Sequence, residues 1–151
     1  MTNTSKNLKI ALVISQFNSP ITILMKEQAL QAFKTIFASD DELTVYEVPG
    51  AVELPFMQQQ VILNKNVDGI LVMGCVIRGE TDHYDYVCQM VSNGCMDVTL
   101  KHNVPMGFGL ITAQNYALAK ARCSSSHSKA KETVQALYDL IKTDQLLKES
   151  E

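Results

Sequence analysis

The sequence predicts one α/β domain, a three-layer α/β/α sandwich around a four-stranded parallel sheet, and two observations carry that reading. Short aliphatic runs, of the kind a strand covered on both faces needs, alternate four times with longer stretches in which apolar residues recur every three or four positions. The length, 151 residues with 46% of them hydrophobic, suits a single core, because two domains of half that size would each bury too little surface.

The first strand is expected over residues 8–15, nearly all aliphatic and ended by the turn-forming SQFNSP. Ile21, Leu24, Gln28, Ala29, Ala32 and Ile36 then share a helical face, with Pro20 suited to the opening turn. Residues 43–48 form a second strand stopped by Pro49-Gly50, after which Pro55 starts a helix that carries Met57, Val61 and Ile62 inward. Residues 69–76 make the third strand. Tyr84, Val87, Cys88, Val91, Cys95 and Val98 set the period of a third helix ending near His102-Asn103, and residues 104–111 make the fourth strand. A short helix over 115–122, the polar interruption CSSSHS and a last helix over 129–141 follow, leaving 1–7 and 142–151 as flexible tails.

Composition excludes several function classes. Thirteen Lys and Arg against sixteen Asp and Glu leave a net charge of -3 with no long basic run, so no nucleic-acid partner is expected. MTNTSKNLK leads into only about seven apolar residues, too few for a bilayer span and without a small-residue cleavage site, so a cytoplasmic protein with no membrane partner is expected. Cys75, Cys88, Cys95 and Cys123 lack CxxC spacing and read as reduced thiols. No paired His and Cys at ligand spacing, no GxSxG, no Walker loop and no GxGxxG is present, so neither a metal nor a dinucleotide is expected.

Parallel strands joined by helices gather the loops after the strands at one sheet edge, where ligands bind, and the unusual residues fall there. In RGETDH, residues 78–83, Gly79 allows close approach of the backbone. The N–H groups of a helix start and the Thr81 hydroxyl can donate to an oxyanion, although Thr81 and Asp82 are equally ordinary N-cap types. His83 is the best general acid/base in the chain, since imidazole both accepts and donates protons near neutrality. Phe17-Asn18 offers an aromatic face beside an amide, suited to a flat heterocycle or to an anchored loop. Glu53 in VPGAVELP can accept from substrate hydroxyls or simply lead a helix, and Arg122 can pair with phosphate or stay solvated.

Taken together, FN, VPGAVELP, GCVIRGETDHYDYV and PMGFGLIT stand in the order and contexts of the 6,7-dimethyl-8-ribityllumazine synthase family, and the chain resembles that family from residue 9 to 112. The resemblance implies a flavodoxin-like fold and a cofactor-free transferase of riboflavin biosynthesis. The reaction condenses 5-amino-6-(D-ribitylamino)uracil with 3,4-dihydroxy-2-butanone 4-phosphate and releases phosphate and water. It implies stacking by Phe17, contacts to the ribityl chain and uracil edges from Asn18, Ala51, Val52, Glu53, Cys75, Val76 and Ile77, phosphate binding by Glu80, Thr81 and Arg122, and proton transfer by His83 through a Schiff-base route. It further implies a homo-oligomer with the site between subunits, Phe108 and the Arg122 region coming from the adjacent chain of a five-membered ring, and riboflavin synthase as a candidate partner. CSSSHSK replaces the family's Gly-Thr-Lys-Ala-Gly-Asn-like bend, which leaves Lys129 and Lys131 as alternatives for a late lysine and favours a pentamer or decamer over a sixty-subunit shell. A rival reading keeps the pocket as a flavin- or lumazine-binding module whose altered tail has cost it the chemistry.

Overall fold

The computed structural model describes residues 6–149. Its elements follow the expected order: β1 (Lys9–Ser15), α1 (Ser19–Ile36), β2 (Glu42–Val48), a 3-10 turn (Ala51–Glu53), α2 (Leu54–Asn64), β3 (Gly69–Ile77), α3 (His83–His102), β4 (Met106–Ala113), α4 (Tyr116–Ala121) and α5 (Lys129–Glu149). The four strands are parallel in the order β2-β1-β3-β4.

Alternation along β1 divides the core in two. Ile10, Leu12 and Ile14 face a cluster closed by Ile21, Met25, Ala29 and Phe33 of α1 and Val134, Leu137 and Ile141 of α5. Ala11 and Val13 face the opposite cluster, built on Leu54 and Val61 of α2 and Val87, Val91 and Cys95 of α3. The sheet is therefore covered on both sides, as its unbroken aliphatic runs require. Where α5 crosses β4, Gly107 and Gly109 permit the approach: a Cβ at Gly107 would stand 2.9 Å from the Thr133 carbonyl, and one at Gly109 2.6 Å from the Thr133 hydroxyl.

Most boundaries lie within two residues of expectation, and the shift of β4, from 104–111 to Met106–Ala113, and the extension of the last helix have physical causes. β4 begins at Met106 rather than 104, because Asn103 ends α3 in the left-handed region (φ 60°) and Pro105 has no N–H for the ladder; its carbonyl instead accepts from the Ile70 N–H at 2.9 Å. The last helix runs on to Glu149 instead of stopping at 141, so 142–149 is helical. Its final turns are mostly exposed and carry a Lys148–Asp144 pair at 2.8 Å with i, i+4 spacing. Lys6 pairs with Asp68 at 3.1 Å, and residues 1–5 and 150–151 of the expected tails lie outside the described residues.

Sheet order positions the site. The chain leaves β1 for α1 on one face and leaves β3 for α3 on the other, so the two loops diverge and open a crevice between the neighbouring strand ends. β1 pairs with β3 only as far as Met73, whereas β3 continues to Ile77 paired with β4. Among the described residues, no strand covers the β1-side edge of the last four residues of β3.

A candidate active site at the ends of the first and third strands

A crevice of about 370 Å³ opens at this edge, within the size range of small-molecule sites. Phe17, Asn18, Ala51, Val52, Glu53, Cys75, Val76, Ile77, Thr81 and His83 all line it. These residues come from three stretches, each running from the end of β1, β2 or β3 into the segment that follows, and the strand order brings them together.

Each loop is shaped by identifiable bonds. Gln16 and Phe17 donate backbone N–H groups to the carbonyls of Val48 (2.8 Å) and Pro49 (2.9 Å), extending the β1–β2 pairing past both strands and fixing the root of the Phe17 side chain. Phe17 is 70% exposed, a large apolar side chain that no described residue of this chain covers. Asn18 adopts left-handed backbone (φ 64°) at the start of α1, and its Nδ2 donates to the Cys75 carbonyl at 2.9 Å. The amide thus bridges the gap where β1 stops pairing with β3 and leaves its Oδ1 as an acceptor beside the crevice. The Glu53 carboxylate reaches back to the Gly50 N–H at 2.8 Å, so one oxygen closes the turn after β2.

The turn between β3 and α3 has the free donors that an anion would need. Asp82 stands at the N-cap of α3 but its side chain caps nothing. Thr81 Oγ accepts from the His83 N–H at 3.3 Å, which leaves the hydroxyl proton and other first-turn N–H groups available to an anion. His83 is exposed at the first position of α3. Gly79 has no positive φ, and a Cβ there would meet nothing within 4 Å, so close approach in this turn does not depend on its being glycine.

Three residues expected at the site lie elsewhere in this chain. Glu80 is exposed and does not line the crevice. Phe108, half-buried in β4 opposite Val72, packs against the α2–α3 cluster. Arg122 caps the C-terminus of α4 and points a guanidinium nitrogen at Glu132 Oε1, 3.4 Å away; Lys129 and Lys131 lie in the first turn of α5, also away from the crevice. Gly50, Tyr84 and Val87 also line the crevice, and the last two had not been singled out for it. The α3 period contained the signal for the last two, since Val87 lies one turn after His83 and Tyr84 stands next to it.

Cysteine chemistry has no place here. Burial, with a further push from Cys123, raises the Cys75 thiol from 9.0 to about 12, and burial raises Cys95 equally far. Near neutrality Cys75 is therefore a thiol and not a thiolate, and its carbonyl is engaged by Asn18. Among the described residues no group of three or more His, Cys, Asp or Glu could hold a metal ion, and no helix is long and apolar enough to cross a membrane.

Comparison with known proteins gives a consistent result. The family model for 6,7-dimethyl-8-ribityllumazine synthase matches residues 7–145. Proteins named 6,7-dimethyl-8-ribityllumazine synthase are similar along nearly their whole length. The one from Limosilactobacillus reuteri is 39% identical over 139 residues, covering 90% of this chain and 89% of its own. That from Coxiella burnetii (strain Dugway 5J108-111) is 38% identical over 149 residues, covering 98% and 97%, and that from Helicobacter pylori (strain P12) is 37% identical over 143 residues, covering 94% and 92%.

Proposed function

The chain belongs to the 6,7-dimethyl-8-ribityllumazine synthase family of riboflavin biosynthesis, transferases by activity, and from that premise we propose how its residues divide the reaction. The substrates are 5-amino-6-(D-ribitylamino)uracil and 3,4-dihydroxy-2-butanone 4-phosphate, and the product leaves with phosphate and water. One observation carries the assignment of roles: the loop motifs after β1, β2 and β3 converge on a single crevice whose polar groups are only partly used within the chain.

Phe17 stacks on the pyrimidine, for which its exposed face is suited. Asn18 Oδ1, the second Glu53 oxygen and the uncovered backbone edge from Cys75 to Ile77 take the uracil edges and ribityl hydroxyls, with Ala51 and Val52 shaping the wall. Phosphate sits at the uncapped start of α3 against Thr81, Glu80 bordering the turn through its backbone. The substrate's amine attacks the ketone and a first water departs to leave a Schiff base; the phosphate is then eliminated, the resulting enol tautomerises to a ketone, and the ribityl-bearing nitrogen closes the ring on that carbonyl with loss of a second water. His83 moves the protons, while alignment of the two substrates supplies most of the acceleration.

No Lys or Arg lines the crevice among the described residues: Arg78 is engaged with Asp85 and Tyr84, and Arg122 is turned towards Glu132. We therefore assign Arg122 and Phe108 to the site of a neighbouring copy, which makes the working unit a ring of five chains or a pair of such rings in the cytoplasm; association with riboflavin synthase is part of the same proposal. The binding-module reading is not favoured, since the family match continues to residue 145 through the divergent CSSSHS segment.

The test is lumazine formation followed by absorbance for the wild type, His83→Ala and Arg122→Ala. Turnover far above the uncatalysed background, weakened in both variants, is expected. Tight lumazine binding with no rate above background sinks the reading.

A further inference from the structure

The turn that carries Thr81 and His83 is an acidic place to hold a phosphate. Between residues 78 and 85 stand Glu80, Asp82 and Asp85, with Arg78 the one cationic side chain among them. Arg78 is anchored by its own backbone, whose N–H donates to the Ala113 carbonyl at 2.9 Å at the end of the β3–β4 pairing. From there its Nη2 donates to Asp85 Oδ1 at 3.0 Å, and the guanidinium lies 4.6 Å from the centre of the Tyr84 ring. Tyr84 and Asp85 are the two residues that follow His83, and Tyr84 also lines the crevice. Inside the turn the bonds are few: the Thr81 hydroxyl with the His83 N–H, and the Asp82 carbonyl with the Asp85 N–H at 3.1 Å. Cys88, one turn further along α3, sits among the same groups. Burial raises its thiol, a hydrogen bond from Tyr84 lowers it, Asp85 raises it and Arg78 lowers it.

We propose that Arg78 is the positioning residue of the phosphate turn, clasping Tyr84 and Asp85 to the exit of β3 and cancelling the Asp85 charge that would otherwise repel the phosphorylated substrate. This rests on the phosphate placement proposed above. Arg78 does not touch substrate; it acts through the geometry and charge of the first turn of α3. Because Arg78 is about one-third and Asp85 more than half exposed, solvent screens the pair and the effect is modest. Lysine in its place keeps the charge but loses the planar fork and the stacking on Tyr84.

The deciding experiment measures KM for each substrate, and inorganic phosphate binding by calorimetry, for the wild type, Arg78→Ala, Arg78→Lys, Asp85→Asn and Arg78→Ala/Asp85→Asn. Arg78→Ala is expected to weaken the butanone phosphate KM and inorganic phosphate binding about three- to fivefold while the pyrimidine KM is little changed. Arg78→Lys falls between, Asp85→Asn does not weaken phosphate binding, and the double variant binds phosphate more tightly than Arg78→Ala alone. Equal weakening for both substrates, no weakening at all, or a double variant no better than Arg78→Ala overturns the proposal. A wild type without turnover defeats the reaction assigned above, while the phosphate titrations still decide the role of Arg78; a wild type that neither turns over nor binds phosphate defeats both.

Discussion

The crevice at the ends of β1 and β3 and the seam between β4 and α5 are built on opposite terms. In the seam everything is spoken for: Leu137 is fully buried, glycines bring the helix down onto the strand, and Thr133 fills the remaining space and returns its hydroxyl to the Lys129 carbonyl at 2.7 Å. In the crevice a strand edge is uncovered, a helix begins without a side-chain cap and Phe17 is 70% exposed. Folding free energy is concentrated in the first region, and unused hydrogen-bonding capacity and apolar surface in the second. The difference teaches that substitutions in the two regions move different observables.

The largest expected effect tests whether the crevice is finished by another copy. His83→Ala and Arg122→Ala, each impaired alone by one to two orders of magnitude on the scale of about 10²-fold for acid–base or electrostatic groups, should regain activity when unfolded together and refolded as mixed oligomers. A site formed by an Arg122→Ala chain and the Arg122 of a His83→Ala neighbour has both groups intact. Mixed oligomers no more active than the average of the parents would place both residues in one chain's site. Next, Phe17→Ala should raise the pyrimidine KM by about tenfold, in line with roughly 1–3 kcal/mol for stacking on an aromatic ring, and leave the melting temperature unchanged because the ring is exposed. Leu137→Ala should do the reverse, costing about 2–5 kcal/mol in denaturant unfolding while the KM values hold. A kinetic change without a stability loss there would erase the distinction between the two regions.

The smallest effect is a pH dependence of stability. Cys75 and Cys95 hold their protons to about 12 in the folded chain against an ordinary value of 9.0. Above pH 9 the unfolded chain loses these protons while the folded one keeps them, so the stabilisation present below pH 9 is lost as the pH rises towards 12. Urea melts between pH 8 and 11 check this: Cys95→Ala should flatten the alkaline decline, and an unchanged slope would exclude the thiol as its source.

The element order and the two-faced burial of the strands were legible because a two-residue alternation and a three-to-four-residue recurrence are direct images of strand and helix geometry. The last helix was read short because its final turns bury little and so lack the apolar period that marks a helix in a sequence. Residues such as Phe17, Glu53 and His83 stood out by type and by position after strands. Nothing in the spacing of Arg78 and Asp85 announced their pairing, which depends on how sharply the turn between them folds back.

By itself, then, the sequence determined which residues become strands, which segments after the strands carry the unusual polar and aromatic residues and to which family the chain belongs, since these follow from local period, turn chemistry and the order of motifs. Only the tertiary structure decided that β3 outruns its pairing with β1, that Asn18 bridges the step with its amide, and that Arg122 faces Glu132 instead of the crevice. Those outcomes depend on strand register and on the path of the chain around the sheet, both of which are settled by packing between residues far apart in the sequence.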